Sequence, residues 1–253
     1  MKIISIINLK GGVAKTVSAI NIAYTLVAVH GKRVLLIDND KQGNTSKFFG
    51  LYDPFSVGLA ELLTDKNVDV DNVILQTAYE GLDIITANMN LLRANKEILM
   101  DSVRPQQTRL RKKLKKVREQ YDYCIIDNAP DLNLTVVNAL VASDDVLVPI
   151  KIDQFSFDGL TEIIEQIDDV SEFNSEIRFA GCFVTMYQRS SVNTQGAELL
   201  EQQGYPMFAT RIRKTVKVDE MTFAGKPLLE YAKRSTACLD YVALVNEYLE
   251  MNT

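Results

Sequence analysis

Six short apolar runs punctuate the chain: Lys2 to Ile7, Arg33 to Ile37, Leu82 to Thr86, Tyr123 to Ile126, Val146 to Ile150 and Phe179 to Val184. They are rich in isoleucine and valine and do not alternate strictly with polar residues, which is the pattern of strands buried on both faces of a parallel sheet. Between them, apolar residues recur at helical spacing over Ser18 to Val29, Gln106 to Val117 and Leu132 to Val141. Strand alternating with helix predicts a doubly wound α/β fold, a mostly parallel β-sheet flanked by helices. A length of 253 residues suits a single domain covering 1–253. The segment Gly50 to Gly81 has weaker periodicity, contains Asp53-Pro54 and several acids, and is expected to be a peripheral excursion without chemistry.

Composition narrows the possibilities. An apolar fraction of 47% with no stretch approaching the length of a membrane span predicts a globular, cytoplasmic protein. The first apolar run is followed by glycines and a lysine instead of a small-residue cleavage site, so it is expected to be a strand and not a signal peptide. Cys124, Cys182 and Cys238 are too far apart for a metal or redox motif, and the single histidine, His30, excludes chemistry that needs a histidine cluster. With 28 basic and 33 acidic residues the net charge is -5, so DNA binding would have to come from a local basic patch.

Ligands of doubly wound sheets bind at the carboxyl ends of the strands, which directs attention to the residues after each run. The first run leads into Leu9-Lys10-Gly11-Gly12-Val13-Ala14-Lys15-Thr16-Val17 and then into a helical pattern. In such a strand, loop and helix, Gly11 and Gly12 let backbone N–H groups turn around phosphate oxygens, and the helix N-terminus adds its positive dipole end. Lys15 would reach the β- and γ-phosphates, and the Thr16 hydroxyl would hold Mg²⁺. Leu9 and Ala14 stand where the strict G-x-x-x-x-G-K-[ST] loop has glycines. A Gly-Gly turn followed by lysine is common on its own, but it does not predict acids at neighbouring strand ends. Here the second run ends in Asp38-Asn39-Asp40-Lys41-Gln42-Gly43-Asn44 and the fourth in Asp127-Asn128-Ala129-Pro130-Asp131. Carboxylates at those tips are placed to hold Mg²⁺ through its waters and to orient an attacking water.

At these residues the chain resembles the ParA/MinD ATPases. Lys10 to Thr16 is similar to their deviant Walker A form K-G-G-x-x-K-[ST], and Asp38 to Asn44 resembles their D-x-D-P-Q-G-N with Lys41 in place of proline. Ile125-Ile126-Asp127-Asn128-Ala129-Pro130 is similar to their Walker B strand, and Thr185 to Arg189 and Gly225 to Leu228 resemble later segments of ParA chains. The resemblance implies an ATP-dependent sandwich homodimer in which Lys10 of one subunit reaches phosphates held by the other. A second cation there would offset charge developing on the γ-phosphate. It implies ATP contacts from Lys10, Gly11, Gly12, Val13, Ala14, Lys15, Thr16, Val17 and Met186. It also implies Mg²⁺ near Thr16, Asp38 and Asp127, and an attacking water oriented by Asp40. Lys10, Lys15 and Asp40 are then the catalytic set.

Within the family, MinD-like membrane binding needs a basic amphipathic C-terminal helix, whereas Leu239 to Glu250 carries only acids and is expected to pack on the body of the protein, with no membrane partner. Nitrogenase-type relatives need cysteines soon after Walker B, and none follows Asp127 before Cys182. ParA chains bind DNA without sequence preference through late basic residues, which implies Arg189, Arg211, Arg213, Lys214 and Lys217 here. Arg213 stands where many ParA chains have proline, and Lys217 where arginine is usual. A second basic run, Arg109 to Arg118, places Leu110, Leu114 and Val117 on one face, as a helix packed by that face would. The expectation is a ParA-like partition ATPase moving a plasmid, mobile element or chromosome, released from nucleoid DNA when a ParB-like partner stimulates hydrolysis. The alternatives are a relative that positions a protein cargo and a nucleotide-gated DNA-binding module with negligible turnover.

Overall fold

The computed structural model describes residues 1–153 and 156–251. All six apolar runs are strands: β1 (Lys2–Ile6), β2 (Val34–Asn39), β4 (Leu82–Ile85), β5 (Tyr123–Asn128), β6 (Asp145–Lys151) and β7 (Arg178–Thr185). With β3 (Ile74–Gln76), which the apolar pattern does not announce, they form one sheet in the order β3-β4-β2-β5-β1-β6-β7. Every pairing is parallel except β3 with β4. β5 lies between β1 and β2, in register Ile6 with Asp127 and Asp38 with Asp127. The loops after these three strands therefore share one crevice, where the chain order of the strands reverses.

Helices cover both faces because every parallel crossover carries one. On one face α1 (Lys15–Ala28) packs with α11 (Thr236–Glu250) over Ile4, Ile6, Leu36 and Ile125. The acidic C-terminal segment is thus a docked helix, burying Tyr241, Leu244, Val245 and Tyr248, as expected from its charge. On the other face α3 (Leu59–Thr64), α4 (Asn90–Met100), α5 (Arg109–Leu114) and α6 (Leu134–Ala142) cover Leu35, Ile37, Cys124 and Ile126. Helices α7 (Ser156–Ser171) and α8 (Ser191–Gln202) complete the β6–β7 end, and α2 (Asn44–Phe48), α9 (Val216–Ala224) and α10 (Leu228–Tyr231) surround the crevice and its flank.

The segment Gly50 to Gly81 is not the peripheral excursion expected. Leu59, Leu62, Leu63, Val70 and Val73 are buried in the same core as β2 and β4, and the backbone at Gly58 approaches Thr86 so closely that a Cβ would lie 2.5 Å from its carbonyl oxygen. The segment closes the sheet edge with β3. In the basic run, Leu110, Leu114 and Val117 are buried as their spacing requires, and the fold also engages several of the cations. Arg109 pairs with Asp101, Lys116 with Asp69, and Lys113 donates to the carbonyl of Val68. The three cysteines are buried and form no disulfide.

Candidate active site

The phosphate loop begins where β1 ends. Asn8 fixes its entry, donating from Nδ2 to the Pro149 carbonyl at 2.8 Å and accepting the Lys10 N–H at 2.9 Å. Gly12 has φ +72°, a left-handed conformation that glycine adopts without steric cost, and a Cβ built on Gly11 or Gly12 would meet no atom within 4 Å. Neither glycine is demanded by internal packing. Ala14 caps α1 at φ 66°, ψ 30° and accepts the Ser18 N–H at 2.9 Å. A residue with a Cβ gives up roughly 1–2 kcal/mol in that left-handed conformation.

Lys15 is buried, and its ammonium donates to the Lys10 carbonyl at 2.7 Å, folding back across its own loop. Burial pushes its pKa down, against the opposing pull of Asp127, Asp40 and Asp131. A partly desolvated cation bonded to a backbone carbonyl is poised for an anion.

Asp38 and Asp127 face each other across paired strands, both buried. Asp38 accepts the Ser46 N–H at 2.8 Å, the Ser46 hydroxyl at 2.7 Å and the Asp40 N–H at 3.2 Å. Asp127 accepts the Thr45 hydroxyl at 2.7 Å. Burial, reinforced by the charge of Asp127, pushes the Asp38 carboxyl up to about 7. Burial likewise raises Asp127 to about 6, although the Thr45 and Thr16 hydroxyls favour its charged form. Gly43 organises this arrangement as the N-cap of α2: at φ +62° it has no room for a Cβ, which would lie 2.6 Å from the Tyr52 ring and 2.7 Å from the Ala87 carbonyl. The helical turn that follows aims Thr45 and Ser46 at the two acids.

The buried Oδ1 of Asp127 has no partner in hydrogen-bonding geometry among the described residues. An orphaned carboxylate oxygen costs free energy unless a cation or donor meets it. With the Thr16 hydroxyl and Asp38 nearby, the donors are hard oxygens, which suits Mg²⁺ and not a softer metal.

Around this centre, Asp40 accepts the Gln42 N–H at 2.9 Å, and its charge acts on both Lys15 and Asp127. Lys10 is turned to the surface, its ammonium 2.9 Å from Asp153. Lys41 lies 3.5 Å from Asp131 and links the tips of β2 and β5. Beneath them Asn39 donates to Asn128 at 2.8 Å, and Asn128 in turn donates to Ser5 at 3.2 Å. Beside the loop, Ala14, Thr185, Met186, Ile212, Arg213, Lys214, Thr215, Val218, Asp219 and Tyr241 line a small open cleft of about 60 Å³. Thr185 ties it to the loop by donating to the Val13 carbonyl at 3.1 Å.

Comparison with known proteins agrees with this geometry. A family model described as AAA domain matches residues 1–179. The chain is 34% identical over 250 residues to the sporulation initiation inhibitor protein Soj of Bacillus subtilis, covering 97% of each chain. It is 33% identical over 259 residues to the chromosome partitioning protein ParA of Myxococcus xanthus, covering 100% of this chain and 89% of that one. The chain belongs to the ParA/MinD family of P-loop ATPases. Among solved structures, cobyrinic acid a,c-diamide synthase from Mycobacterium smegmatis, with bound ATP analog and magnesium, is 27% identical. It superimposes with a TM-score of 0.84 over 99% of this chain and 95% of its own.

In this ParA/MinD chain the structure gathers Lys15, Thr16, Asp38, Asp40 and Asp127 into one crevice, with Lys10 at its rim. It divides the five basic residues proposed for DNA. Arg189 is exposed, Arg211 lies over the Tyr187 ring at 5.2 Å, and the charges of both act on Tyr187. Lys214 is exposed nearby, its N–H bonded to the Tyr187 carbonyl. Arg213 instead chelates Asp240, and Lys217 lies 2.6 Å from Glu220, so the fold already engages these two cations. The sequence reading missed Thr45, Ser46, Asn39 and Asn128. The available signal was hydroxyl and amide residues within or directly beside the two acidic motifs.

Two outcomes follow from the site. Ala14→Gly should raise stability by about 0.5 kcal/mol, the relief of left-handed strain less the added freedom of the unfolded chain, read as a urea midpoint. Asp38 and Asp127 hold protons more tightly folded than unfolded, so their contribution to stability falls as pH rises from the ordinary value of 3.8 through about 6 and 7. Mg²⁺ with nucleotide should flatten that slope by favouring the carboxylates. An undiminished difference between wild type and Asp38→Asn across this window, with and without Mg²⁺·ATP, would contradict metal binding at this pair.

Proposed function

We propose that this ParA/MinD-family chain is a Mg²⁺-dependent ATPase of the Soj/ParA partition type. The observation that carries the reading is the convergence of buried Lys15 and the orphaned Asp127 oxygen on one crevice beneath the glycine loop. Thr16 and Asp127 would hold Mg²⁺ directly and Asp38 through a water, leaving Asp40 to orient the attacking water. Mg²⁺ would supply charge neutralisation between the β- and γ-phosphates. Lys15 would exchange the Lys10 carbonyl for phosphate oxygens as the nucleotide arrives, a stronger charge-assisted bond for the same donor.

Lys10 is the proposed contact across an ATP-bound homodimer. Its ion pair with Asp153, whose side chain is 41% exposed, is worth only about 0–1 kcal/mol. The ATP-bound dimer would bind nucleoid DNA without sequence preference through Arg189, Arg211 and Lys214, and a ParB-like partner would trigger hydrolysis and release. This support is electrostatic: these cations cluster around Tyr187 on a chain of net charge -5. Among the described residues no helix is long and apolar enough to cross a membrane. The strained Ala14 cap favours a second reading, a nucleotide-gated DNA binder with negligible turnover, which steady-state phosphate release in the presence of DNA distinguishes from the first.

Lys10→Ala should retain ATP binding and lose most hydrolysis; normal turnover in this variant would remove the trans role of the lysine. DNA binding should require ATP over ADP and weaken with salt, the slope of log K against log salt becoming shallower by about 0.9 in Arg189→Ala. Binding that ignores nucleotide would exclude the partition cycle.

A further inference from the structure

We propose that Arg213 is a positioning residue of the nucleotide site, acting through Asp240 to hold the wall of the base cleft, and is not a DNA contact. The proposal rests on the ATP reading above. Arg213 grips Asp240 through its backbone and side chain together: N–H to Oδ2 at 2.9 Å, Nε to Oδ2 at 2.9 Å and to Oδ1 at 3.1 Å, and Nη2 to Oδ1 at 2.6 Å. The Asp240 side chain is only 11% exposed, so this fork-to-carboxylate bond is largely withdrawn from water on the aspartate side, where such bonds are strong and directional.

The bond joins two parts of the fold beside the cleft; farther along, Glu247 of α11 also accepts the Ala209 and Thr210 N–H groups at 2.6 and 3.0 Å. Arg213 belongs to a strap laid against the end of β7, where Ile212 donates to the Val184 carbonyl at 2.8 Å, Tyr187 to the Ile212 carbonyl at 2.9 Å and Lys214 to the Tyr187 carbonyl at 3.0 Å. Asp240 belongs to α11, and the next residue, Tyr241, lies in the cleft lining with its hydroxyl 3.0 Å from that of Ser18 in α1. Of these junctions the Arg213–Asp240 clasp is the one at the cleft, where it fixes the strap wall against the α1–α11 floor. Met186 closes the cleft in a left-handed conformation at φ 52°, a strained backbone that persists only where its surroundings hold it. Ala14, Met186, Ile212 and Val218 with the Tyr241 ring give the lining an apolar face for a flat heteroaromatic base, and Arg213, Lys214 and Asp219 give it a polar margin. Ala14 belongs to both the loop and the cleft, so phosphates on one and a base in the other can be two ends of one molecule.

An inorganic triphosphate engages the loop and not the cleft, so it separates the two. Calorimetric titration of the full chain with Mg²⁺·ATP and with Mg²⁺·triphosphate should show Arg213→Ala losing about tenfold in ATP affinity and less than about twofold for triphosphate. Asp240→Asn should behave similarly, and Arg213→Lys, which keeps the charge without the fork, should fall between. Thermal melting run alongside identifies a variant that has merely unfolded, because a general loss of structure weakens both ligands together. Equal losses for the two ligands, or none, would overturn the positioning role. A shallower salt dependence of DNA binding in Arg213→Ala, with the ATP-to-triphosphate ratio unchanged, would return the residue to the DNA surface. Wild type binding triphosphate as tightly as ATP would remove the cleft from the site, and wild type binding neither would instead sink the ATP reading.

Discussion

Two carboxyl groups buried side by side, Asp38 and Asp127, are the constraint around which the rest of the crevice is built. Like charges at neighbouring strand positions repel more strongly the less water separates them, and each loses hydration as well. The chain answers with short donors: the hydroxyls of Thr45 and Ser46, the N–H groups of Ser46 and Asp40, and the charge of Lys15. Each donor in turn imposes a local requirement. The hydroxyls require the tight turn at Gly43, the turn requires the space under Tyr52, and Lys15 requires the loop to curl so that the Lys10 carbonyl can receive it. The compensation is incomplete, as the raised Asp38 carboxyl and the unmet Asp127 oxygen both record. A site left short of positive charge in this way favours whatever brings a cation to it.

How much of this the sequence revealed depended on distance along the chain. The buried parallel strands were legible because a run of Ile and Val at the centre of a sheet has no polar face to disguise it. The loop lysines and motif acids were legible because their spacing is local. β3 escaped notice: three residues, partly exposed, carry no period. Gly50 to Gly81 was misjudged because its buried Leu and Val residues are divided between a six-residue helix and irregular turns, too short for either template to register. Thr45 and Ser46 stand beside a motif, yet their roles depend on the direction in which one helical turn points. Arg213 and Asp240, 27 residues apart, could be paired only by the fold.

Charge counted along the sequence also overstated what the surface offers. Arg109, Lys113 and Lys116 lie in what reads as a continuous basic run, but Asp101, the Val68 carbonyl and Asp69 engage them. The same holds for Arg213 and Lys217 in the late cluster. In a chain with net negative charge, local positive potential depends on which cations the fold leaves facing outward. Charge density along a helix is a poor guide to that distribution.

Both borders of the sheet are finished off. On one side β3 is a three-residue antiparallel strip, and on the other the strap from Met207 to Arg213 bridges to Cys182 and Tyr187 beside β7. Open strand borders invite lateral pairing with further chains. A protein that gathers many copies on one polymer would be exposed to that hazard at high local density. With its borders sealed, the DNA-bound form proposed above can crowd without its sheets knitting together.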